Sequence, residues 1–258
     1  MRTIAIGDIH GCSAALDGLV EQINPESSDR LIFLGDYVDR GPDSKGVIDR
    51  LLDLRKRCNA ICLLGNHEII FRSVLGGLPA ETWLELGGQQ TLASYGGALE
   101  RVPTSHLDFL YSLLPYFETE MELYIHANYD ATLPLSQQSE QMLFWEHLSE
   151  SVPPRHYSGK HVVVGHTPQP HCEIGYFGHL TCIDTCCFGG GWLTAVEVST
   201  GKAWQVSQEG RVRNNWPIFR RLWKKFRAFR NRAIQNLASS ADLRSKPSRT
   251  VIKASNLR

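Results

Sequence analysis

The stretch RTIAIGDIHG, residues 2–11, starts as an apolar strand (2–7) and ends in a glycine-flanked turn that carries an acid and an imidazole. Two later stretches repeat this order. RLIFLG (30–35) precedes DYVDRG, and AICLLG (60–65) precedes NHE. Two amphipathic segments separate these strands and predict helices, one from Ser13 to Gln22 and one from Ser44 to Arg57. Ser13 is placed as the N-cap of the first helix. Short buried strands that alternate with helices predict a parallel sheet covered on both faces.

The second half of the chain predicts a further set of short strands. They are expected at residues 122–127, 161–166, 180–184 and 192–198. Residues 78–114, between the two sets, have a helical pattern that is broken by pairs of glycines. Together these segments predict an α/β fold built as a sandwich of two sheets.

Polar side chains follow the three early strands where each strand ends. Because the carboxyl ends of adjacent parallel strands open into one crevice, we expect these side chains to converge. The expected set is Asp8, His10, Asp36, Asn66 and His67. A single Asp-x-His or Asn-His pair is ordinarily a surface loop, but three such turns in order favour a metal site.

Two more histidines end later strands, His126 in ELYIHA and His166 in HVVVGH. A lone histidine at a strand end is ordinarily structural. Here both histidines follow strands of the same sandwich, and a carboxylate-rich site needs neutral nitrogen ligands. The pattern therefore favours metal ligation. Oxygen and imidazole ligands without thiolate suit manganese, iron or zinc, and manganese is the working expectation.

The seven cysteines have no pairing pattern, and no C-x-x-C occurs. Reduced thiols are therefore expected. No apolar run approaches the roughly 20 residues that a membrane span requires, and the first residues do not resemble a signal peptide. These features predict a cytoplasmic protein.

The zero net charge combines two unlike regions. Residues 1–210 contain 13 Lys and Arg against 26 Asp and Glu, whereas residues 211–258 contain 14 against one acid, Asp242. The chain is therefore expected to consist of a catalytic domain, 1–210, and a basic tail, 211–258. Residues 215–236 interleave aromatic side chains with cations, as in helices that bind anionic membranes or nucleic acid. Docking on the acidic domain and a solvated, disordered tail remain open alternatives.

The motifs GDIHG, GDYVDRG, GNHE, IHAN and GHT, in this order over residues 1–200, resemble the metallophosphoesterases. Within them, the chain resembles the PPP-type phosphatases and their bacterial and phage relatives. The resemblance implies a four-layer sandwich of two mixed sheets flanked by helices, with the active site at the carboxyl ends of the strands. It also implies two divalent metal ions and hydrolysis by a hydroxide that bridges them.

The same resemblance implies a role for each matching residue. Metal one would be held by Asp8, His10 and Asp36, and metal two by Asp36, Asn66, His126 and His166. His67 would be the general acid, oriented by Asp39, and Arg40 would bind the phosphate. His147 stands where bacterial members have a second phosphate-binding arginine, although Glu146 and His147 could equally be a solvated helix face.

Other positions depart from the family pattern or extend it. Pro168 replaces the final histidine of GH-x-H, which fits the PPP-type branch and argues against nucleases and cyclic-nucleotide phosphodiesterases. Leu64 replaces the arginine that usually precedes GNHE. Residues 183–191, IDTCCFGGG, resemble a glycine-rich turn of bacterial phosphatases and symmetrical diadenosine tetraphosphatases, and they are expected near the substrate cleft.

The leading hypothesis is a phosphatase that acts on phosphate monoesters, with phosphoserine and phosphothreonine in proteins as substrates. Arg40 favours it, since an arginine that holds a terminal phosphate suits monoesters. The alternative is hydrolysis of dinucleoside polyphosphates, a smaller phosphorylated substrate, by the same metal site. A noncatalytic binding module is disfavoured, because every expected ligand and His67 are present.

Overall fold

A computed structural model describes residues 1–148 and 152–213. Over these residues, ten strands form two five-stranded sheets. The first sheet contains β1 (Thr3–Ile6), β2 (Arg30–Phe33), β3 (Asn59–Cys62), β9 (Leu193–Glu197) and β10 (Ala203–Val206), in the order β10-β9-β1-β2-β3. The second contains β4 (Tyr116–Glu118), β5 (Glu122–Ile125), β6 (His161–Val164), β7 (Gly175–Tyr176) and β8 (Leu180–Cys182), in the order β4-β5-β6-β8-β7.

Both sheets are mixed. Strands β1, β2 and β3 are parallel, whereas β9 and β10 are added antiparallel at one edge. In the second sheet β5, β6 and β8 are parallel, and the edge strands β4 and β7 are antiparallel. The parallel sheet expected from the strand–helix alternation of the first 65 residues is confirmed for β1 to β3, and β9 and β10 extend it with antiparallel pairing. The two mixed sheets implied by the resemblance are confirmed.

The helices join and cover these strands. They are α1 (Ser13–Ile23), α2 (Ser44–Arg57), α3 (Asn66–Leu75), α4 (Glu81–Trp83), α5 (Gln89–Ser94) and α6 (Thr104–Tyr111). A π-helical turn, Leu84–Gly88, joins α4 to α5, and Gly87 in it has a φ of 110°. The helical character expected for residues 78–114, with glycine breaks, is confirmed.

The start of α1 differs from the expectation. Cys12, not Ser13, is the N-cap residue, and no side-chain hydrogen bond caps this helix. Ser13 is the first helical residue. By contrast, α2 has a side-chain cap, because Asp43 accepts a hydrogen bond from the backbone N–H of Gly46 at 2.8 Å. The Ser13 prediction was wrong because a serine before an apolar pattern does not by itself show which residue leaves the helical conformation.

The strand side chains alternate between two apolar layers, which explains why the early strands are apolar throughout. Ile4 and Ile6 of β1 pack with the helices, whereas Ala5 packs between the two sheets. The outer face of the second sheet, with Leu123 and Val162, is covered by side chains from residues 129–148. This last layer includes a 3₁₀ turn, Leu135–Gln137, and a π-helical turn, Gln141–Trp145.

Residues 211–213 continue the pairing beyond β10. Ser207 donates a backbone hydrogen bond to Arg211, and Arg213 donates one to Gln205, 2.9 Å in each case. The predicted aromatic and basic helix at 215–236 and the rest of the tail lie outside the described residues. Among the residues that the structure does describe, no helix is long and apolar enough to span a bilayer, and all seven cysteines are free thiols.

Candidate metal centre

Tight turns at the strand ends point the predicted side chains into one crevice. Five of the predicted residues have a left-handed backbone: His10 (φ 45°), Asp36 (52°), Asp39 (69°), Arg40 (70°) and His166 (60°). This conformation is uncommon for residues other than glycine and costs on the order of 1 kcal/mol or more each. Such strain persists only where the surrounding structure enforces it, and it concentrates at functional sites.

Asp36 lies at the centre of the site and is 2% exposed. One carboxylate oxygen lies 3.4 Å from Nε2 of His10, and the other lies 3.4 Å from Nε2 of His126. The carboxylate thus faces an imidazole nitrogen on each side, which fits the predicted role of Asp36 as a ligand shared by both ions.

Backbone carbonyls orient the three predicted histidine ligands. His10 Nδ1 lies 3.0 Å from the Val38 carbonyl, His126 Nδ1 lies 2.9 Å from that of Leu34, and His166 Nε2 lies 3.2 Å from that of Trp145. Because a carbonyl only accepts, each of these nitrogens carries the hydrogen. The opposite nitrogen then presents its lone pair to the crevice, and in His10 this lone pair accepts a hydrogen bond from Arg40 at 2.9 Å. Burial lowers the pKa of all three, to about 3 for His166, so the rings are neutral.

Asn66 completes the second group of acceptors. Its side-chain oxygen lies 3.0 Å from Nε2 of His126 and 3.1 Å from Nδ1 of His166. The reversed amide would instead donate its N–H groups to these nitrogens and to Asp36. With the oxygen inward, only lone pairs meet at this point, and a divalent cation is what they fit.

Two compact groups of ligand atoms result. One contains His10, Asp36 and His67, and the other contains Asp36, His126 and His166, with the atoms of each group within 4.8 Å of one another. The shared Asp36 matches the expected two-ion arrangement. These residues could hold two divalent metal ions, and their oxygen and nitrogen donors suit manganese, iron or zinc.

Asp8 lies beside these groups. The backbone N–H of His166 donates to both of its carboxylate oxygens, at 2.9 and 3.2 Å. Burial, followed by the nearby charges of Asp184 and Asp36, raises the pKa of Asp8 well above its usual range. Three carboxylates buried together need positive charge to be ionised at neutral pH. A metal ion at this point would supply it, which fits the predicted role of Asp8 as a ligand of metal one.

His67 is paired with Asp39, as expected. Its Nδ1 lies 2.8 Å from a carboxylate oxygen of Asp39, which is fully buried. The other oxygen of Asp39 accepts hydrogen bonds from Trp83, at 3.0 Å, and Thr91, at 2.8 Å. Although burial lowers the pKa of His67, the charges of Asp36 and Asp39 outweigh this and raise it. The ring is also close enough to Asp36 to be a metal ligand, so its role as general acid stays a prediction.

Arg40 extends into the same crevice. Its Nη1 lies 2.9 Å from Nε2 of His10, and its guanidinium lies 4.7 Å from the ring centre of Phe188. The backbone N–H of Arg40 donates to the carbonyl of Gly87 at 3.0 Å. The cation is thus held at the metal site, where it could contact a phosphate.

The sequence profile of the calcineurin-like phosphoesterases matches residues 1–194. The chain belongs to this family. Proteins named symmetrical bis(5'-nucleosyl)-tetraphosphatase are similar to it over shorter stretches. The protein from Burkholderia thailandensis is 39% identical over 75 residues, which are 29% of this chain and 26% of that protein. The protein from Nitrosococcus oceani is 38% identical over 116 residues, 43% of this chain and 39% of that protein. The chain thus matches well under half of these relatives' length.

Solved structures share the fold. A crystal structure of a candidate diadenosine tetraphosphatase superimposes with a TM-score of 0.62 at 24% identity, covering 80% of this chain and 92% of that one. The cold-active protein-tyrosine phosphatase of a Shewanella species superimposes with a TM-score of 0.60 at 17% identity, covering 82% of this chain and 79% of that one. At these identities the likeness shows the fold alone.

Glu68 has a structural role in the phosphoesterase site, although its position in the GNHE motif predicts none. This fully buried carboxylate accepts backbone hydrogen bonds from Asp36 at 2.9 Å, Tyr37 at 2.7 Å and Gly65 at 3.1 Å. It therefore ties the second turn to the third. Burial and the charge of Asp36 raise its pKa to about 7. The sequence signal was its place in GNHE, but nothing in that motif shows which backbone groups it binds.

The glycine-rich turn at 183–191 does lie at the site. The ring of Phe188 packs edge-on against His10 at 5.1 Å and lies under Arg40. Asp184 is buried, and burial raises its pKa to about 6. Both residues belong to the IDTCCFGGG pattern, which by itself predicts no role for either side chain. They form part of the wall around the predicted metal one.

His147 does not lie on a helix face. It follows the π-helical turn Gln141–Trp145, and its ring packs against that of His166, with centroids 4.4 Å apart and an angle of 33°. The side chain is exposed on its other side. His147 therefore borders the predicted metal two, and its contact with a phosphate stays a prediction.

Proposed function

We propose that this phosphoesterase hydrolyses dinucleoside polyphosphates at a centre of two divalent ions, with manganese as the working assignment. The main support for the metal centre is that imidazole lone pairs converge around Asp36. Backbone carbonyls orient the histidine rings so that these lone pairs face the site. The names of the similar bacterial proteins support the substrate class. The dinucleoside polyphosphate alternative is thus better supported than the protein phosphatase favoured by sequence alone.

Two divalent ions in such a site supply an activated water and neutralise charge on the phosphoryl oxygens. The residues of the chain do the remaining work. Arg40 would hold a phosphoryl oxygen through a charge-assisted hydrogen bond. His67, held by Asp39, would give a proton to the leaving oxygen. Phosphoryl transfer depends mostly on positioning and charge stabilisation, and a rigid, buried set of ligands suits both.

Hydrolysis of phosphate monoesters, including phosphoserine and phosphothreonine in proteins, is the second candidate. Arg40 favours it, since one fixed cation beside the metal ligands suits a terminal phosphate. Monoesters and anhydrides would use the same ligands, so the substrate must be decided by groups outside the metal centre.

The test is turnover of the purified chain on diadenosine tetraphosphate, a phosphoserine peptide and an aryl phosphate, with and without Mn²⁺. We expect activity only with metal and the highest kcat/KM on diadenosine tetraphosphate. A higher kcat/KM on the phosphopeptide would transfer the assignment to protein dephosphorylation. Full activity after removal of all metal by a chelator would refute the dinuclear centre itself.

We further propose that the basic tail docks on the acidic domain, because large aromatic side chains left in water favour aggregation. Since residues 211–213 pair with β10, the informative truncation ends the chain after Arg213. Docking predicts lower thermal stability of the truncated chain. Unchanged stability with loss of salt-sensitive binding to anionic vesicles or to nucleic acid would instead identify the tail as an anchor. As a separate proposal, we place the protein in the cytoplasm, as its sequence predicts.

A further inference from the structure

A cavity of about 310 Å³ lies beside the metal centre. Residues 128–132, which follow the strand that ends in His126, form one wall, and Met142, Glu146, His147, Pro153 and Pro154 form the other. His147 is shared, since its ring also packs on His166 at 4.4 Å. The cavity, which we call the Glu146 pocket, therefore adjoins the second group of predicted metal ligands through His147.

The charge of the Glu146 pocket indicates what it excludes. Asp130 and Glu146 contribute two carboxylates, and the described residues that line the pocket include no Lys or Arg. Asp130 is ionised at neutral pH, because hydrogen bonds from Thr132 lower its pKa. A wall of this charge repels further phosphate groups. It favours a neutral group that donates hydrogen bonds.

The remaining lining suits a ring and a sugar. Met142, Tyr129 and two prolines provide apolar surface. Asn128 is 4% exposed, and its side-chain N–H donates to the carbonyl of His147 at 3.4 Å. An amide nitrogen carries two hydrogens, so a second one is left for a ligand. The volume is at the lower end of the roughly 300–1,000 Å³ of small-molecule sites, which suits one compact unit rather than a peptide segment.

We propose that the Glu146 pocket binds the nucleoside of the leaving group, with Asp130 and Glu146 accepting hydrogen bonds from the ribose hydroxyls. This inference rests on the proposed dinucleoside polyphosphate activity and specifies its substrate contacts. Carboxylates are suited to this task, because an acidic side chain is a good acceptor for a ribose diol. The phosphates remain on the side of Arg40 and the metal ligands, and the nucleoside lies beyond His147.

The test compares two competitive inhibitors of aryl phosphate hydrolysis at fixed free Mn²⁺, adenosine diphosphate and pyrophosphate, which differ only by the nucleoside. We expect the diphosphate of adenosine to inhibit about tenfold more tightly, the value of one or two good hydrogen bonds and some apolar contact. The double variant Asp130→Asn, Glu146→Gln should lose most of this advantage, and so should 2'-deoxyadenosine diphosphate with the unchanged chain. Glu140→Gln, an exposed acid outside the pocket, is the matched control and should keep the advantage.

Equal inhibition by both compounds, or an advantage that survives in the double variant, would overturn the inference. A phosphopeptide whose affinity falls in the double variant, while nucleotide inhibition stays unchanged, would also overturn it and assign the pocket to a peptide side chain. The result is separable from the proposed function. Tight, pocket-dependent binding of adenosine diphosphate without turnover of diadenosine tetraphosphate would refute the activity and leave the nucleoside site standing.

Discussion

Replacement of Asp39 by Asn tests whether His67 acts as a general acid. The carboxylate lies 2.8 Å from Nδ1 of His67, and its second oxygen is held by Trp83 and Thr91. Asparagine has the same shape and keeps an oxygen for those two donors. The oxygen that faces Nδ1 of His67 becomes an NH₂ group, so the negative charge and the hydrogen-bond acceptor opposite His67 are both removed. The change therefore isolates the contribution of Asp39 to the protonated ring that would give its proton to the leaving group.

The expected loss follows from the energy of that contact. A hydrogen bond between charged partners contributes about 1.5–3 kcal/mol, which corresponds to about a 10- to 150-fold lower kcat when the leaving group needs a proton. His67→Asn should cost more, about 10²–10⁴-fold, because the proton donor itself is lost. Both losses should shrink for nitrophenyl phosphate, whose leaving group is already a stable anion.

The assay is kcat on an alkyl phosphate and on nitrophenyl phosphate for each variant, together with the content of bound metal. Thr91→Val removes the hydrogen bonds of Thr91 with the carboxylate and with the backbone N–H of Asp39 but keeps the charge of Asp39. It is the matched control and should have a much smaller effect. Equal losses on the two substrates would refute the general-acid role. A lower metal content in His67→Asn would move His67 among the ligands, a position that its distance from Asp36 permits.

Three further changes have definite expected outcomes. Asp36→Asn should weaken binding of both metal ions more than any other ligand change, as measured by metal content and by activity at rising Mn²⁺; retention of two ions at full occupancy would contradict its bridging position. Arg40→Ala should chiefly raise KM, with Arg40→Lys losing less, and an unchanged KM would remove Arg40 from the phosphate site. Asp29 accepts hydrogen bonds from Arg2, which hold its pKa well below the usual range. The contribution of Asp29 to the free energy of unfolding is therefore complete above the ordinary aspartate pKa of about 4. This contribution is lost as the pH falls through the lowered pKa. Asp29→Asn should then cost about 1–2 kcal/mol at pH 7 and progressively less towards pH 2, as measured by denaturant unfolding, whereas a gap that widens in acid would refute the assignment.

The parts of the fold that were predictable have strong local signals. Strands β1, β2 and β3 are apolar on both faces because each lies between a helical layer and a second sheet, so their sequences read as unbroken apolar runs. The amphipathic pattern of α2 gave both of its ends correctly. Strands β4 and β7 were missed because they have two or three residues at sheet edges, too few for a periodic pattern.

Helix α3 shows a different kind of failure. Its first residues are Asn66, His67 and Glu68, which were interpreted only as a motif in a turn. All three are buried in the site or beneath it, so their polarity reflects function and conceals the start of a helix. The same three residues therefore form the site and begin the helix, and the sequence pattern indicated only the site.

The predicted site residues converge because the turn motifs place them at strand ends, but the relation between Asp8 and the rest required coordinates. Its carboxylate binds the backbone of His166, 158 residues away, which no spacing rule connects. Glu68 likewise acts through backbone N–H groups of other turns. A contact between a side chain and a distant backbone N–H cannot be predicted from the type of the partner residue, since almost any residue can supply that N–H.

The predicted metal ligands cannot distinguish a phosphate monoester from a phosphoanhydride, because both substrates present the same phosphoryl group to them. The walls on the two sides of the centre differ in charge. Arg40 and its partner Phe188 lie beside His10, whereas Asp130 and Glu146 line the cavity beyond His147. A substrate with its negative charge at one end and a neutral, hydroxyl-bearing group at the other fits this polarity in one orientation only. A dinucleoside polyphosphate offers that arrangement at each end of its chain, so the asymmetry of the walls would orient one half of the substrate while the metal centre acts on the phosphates.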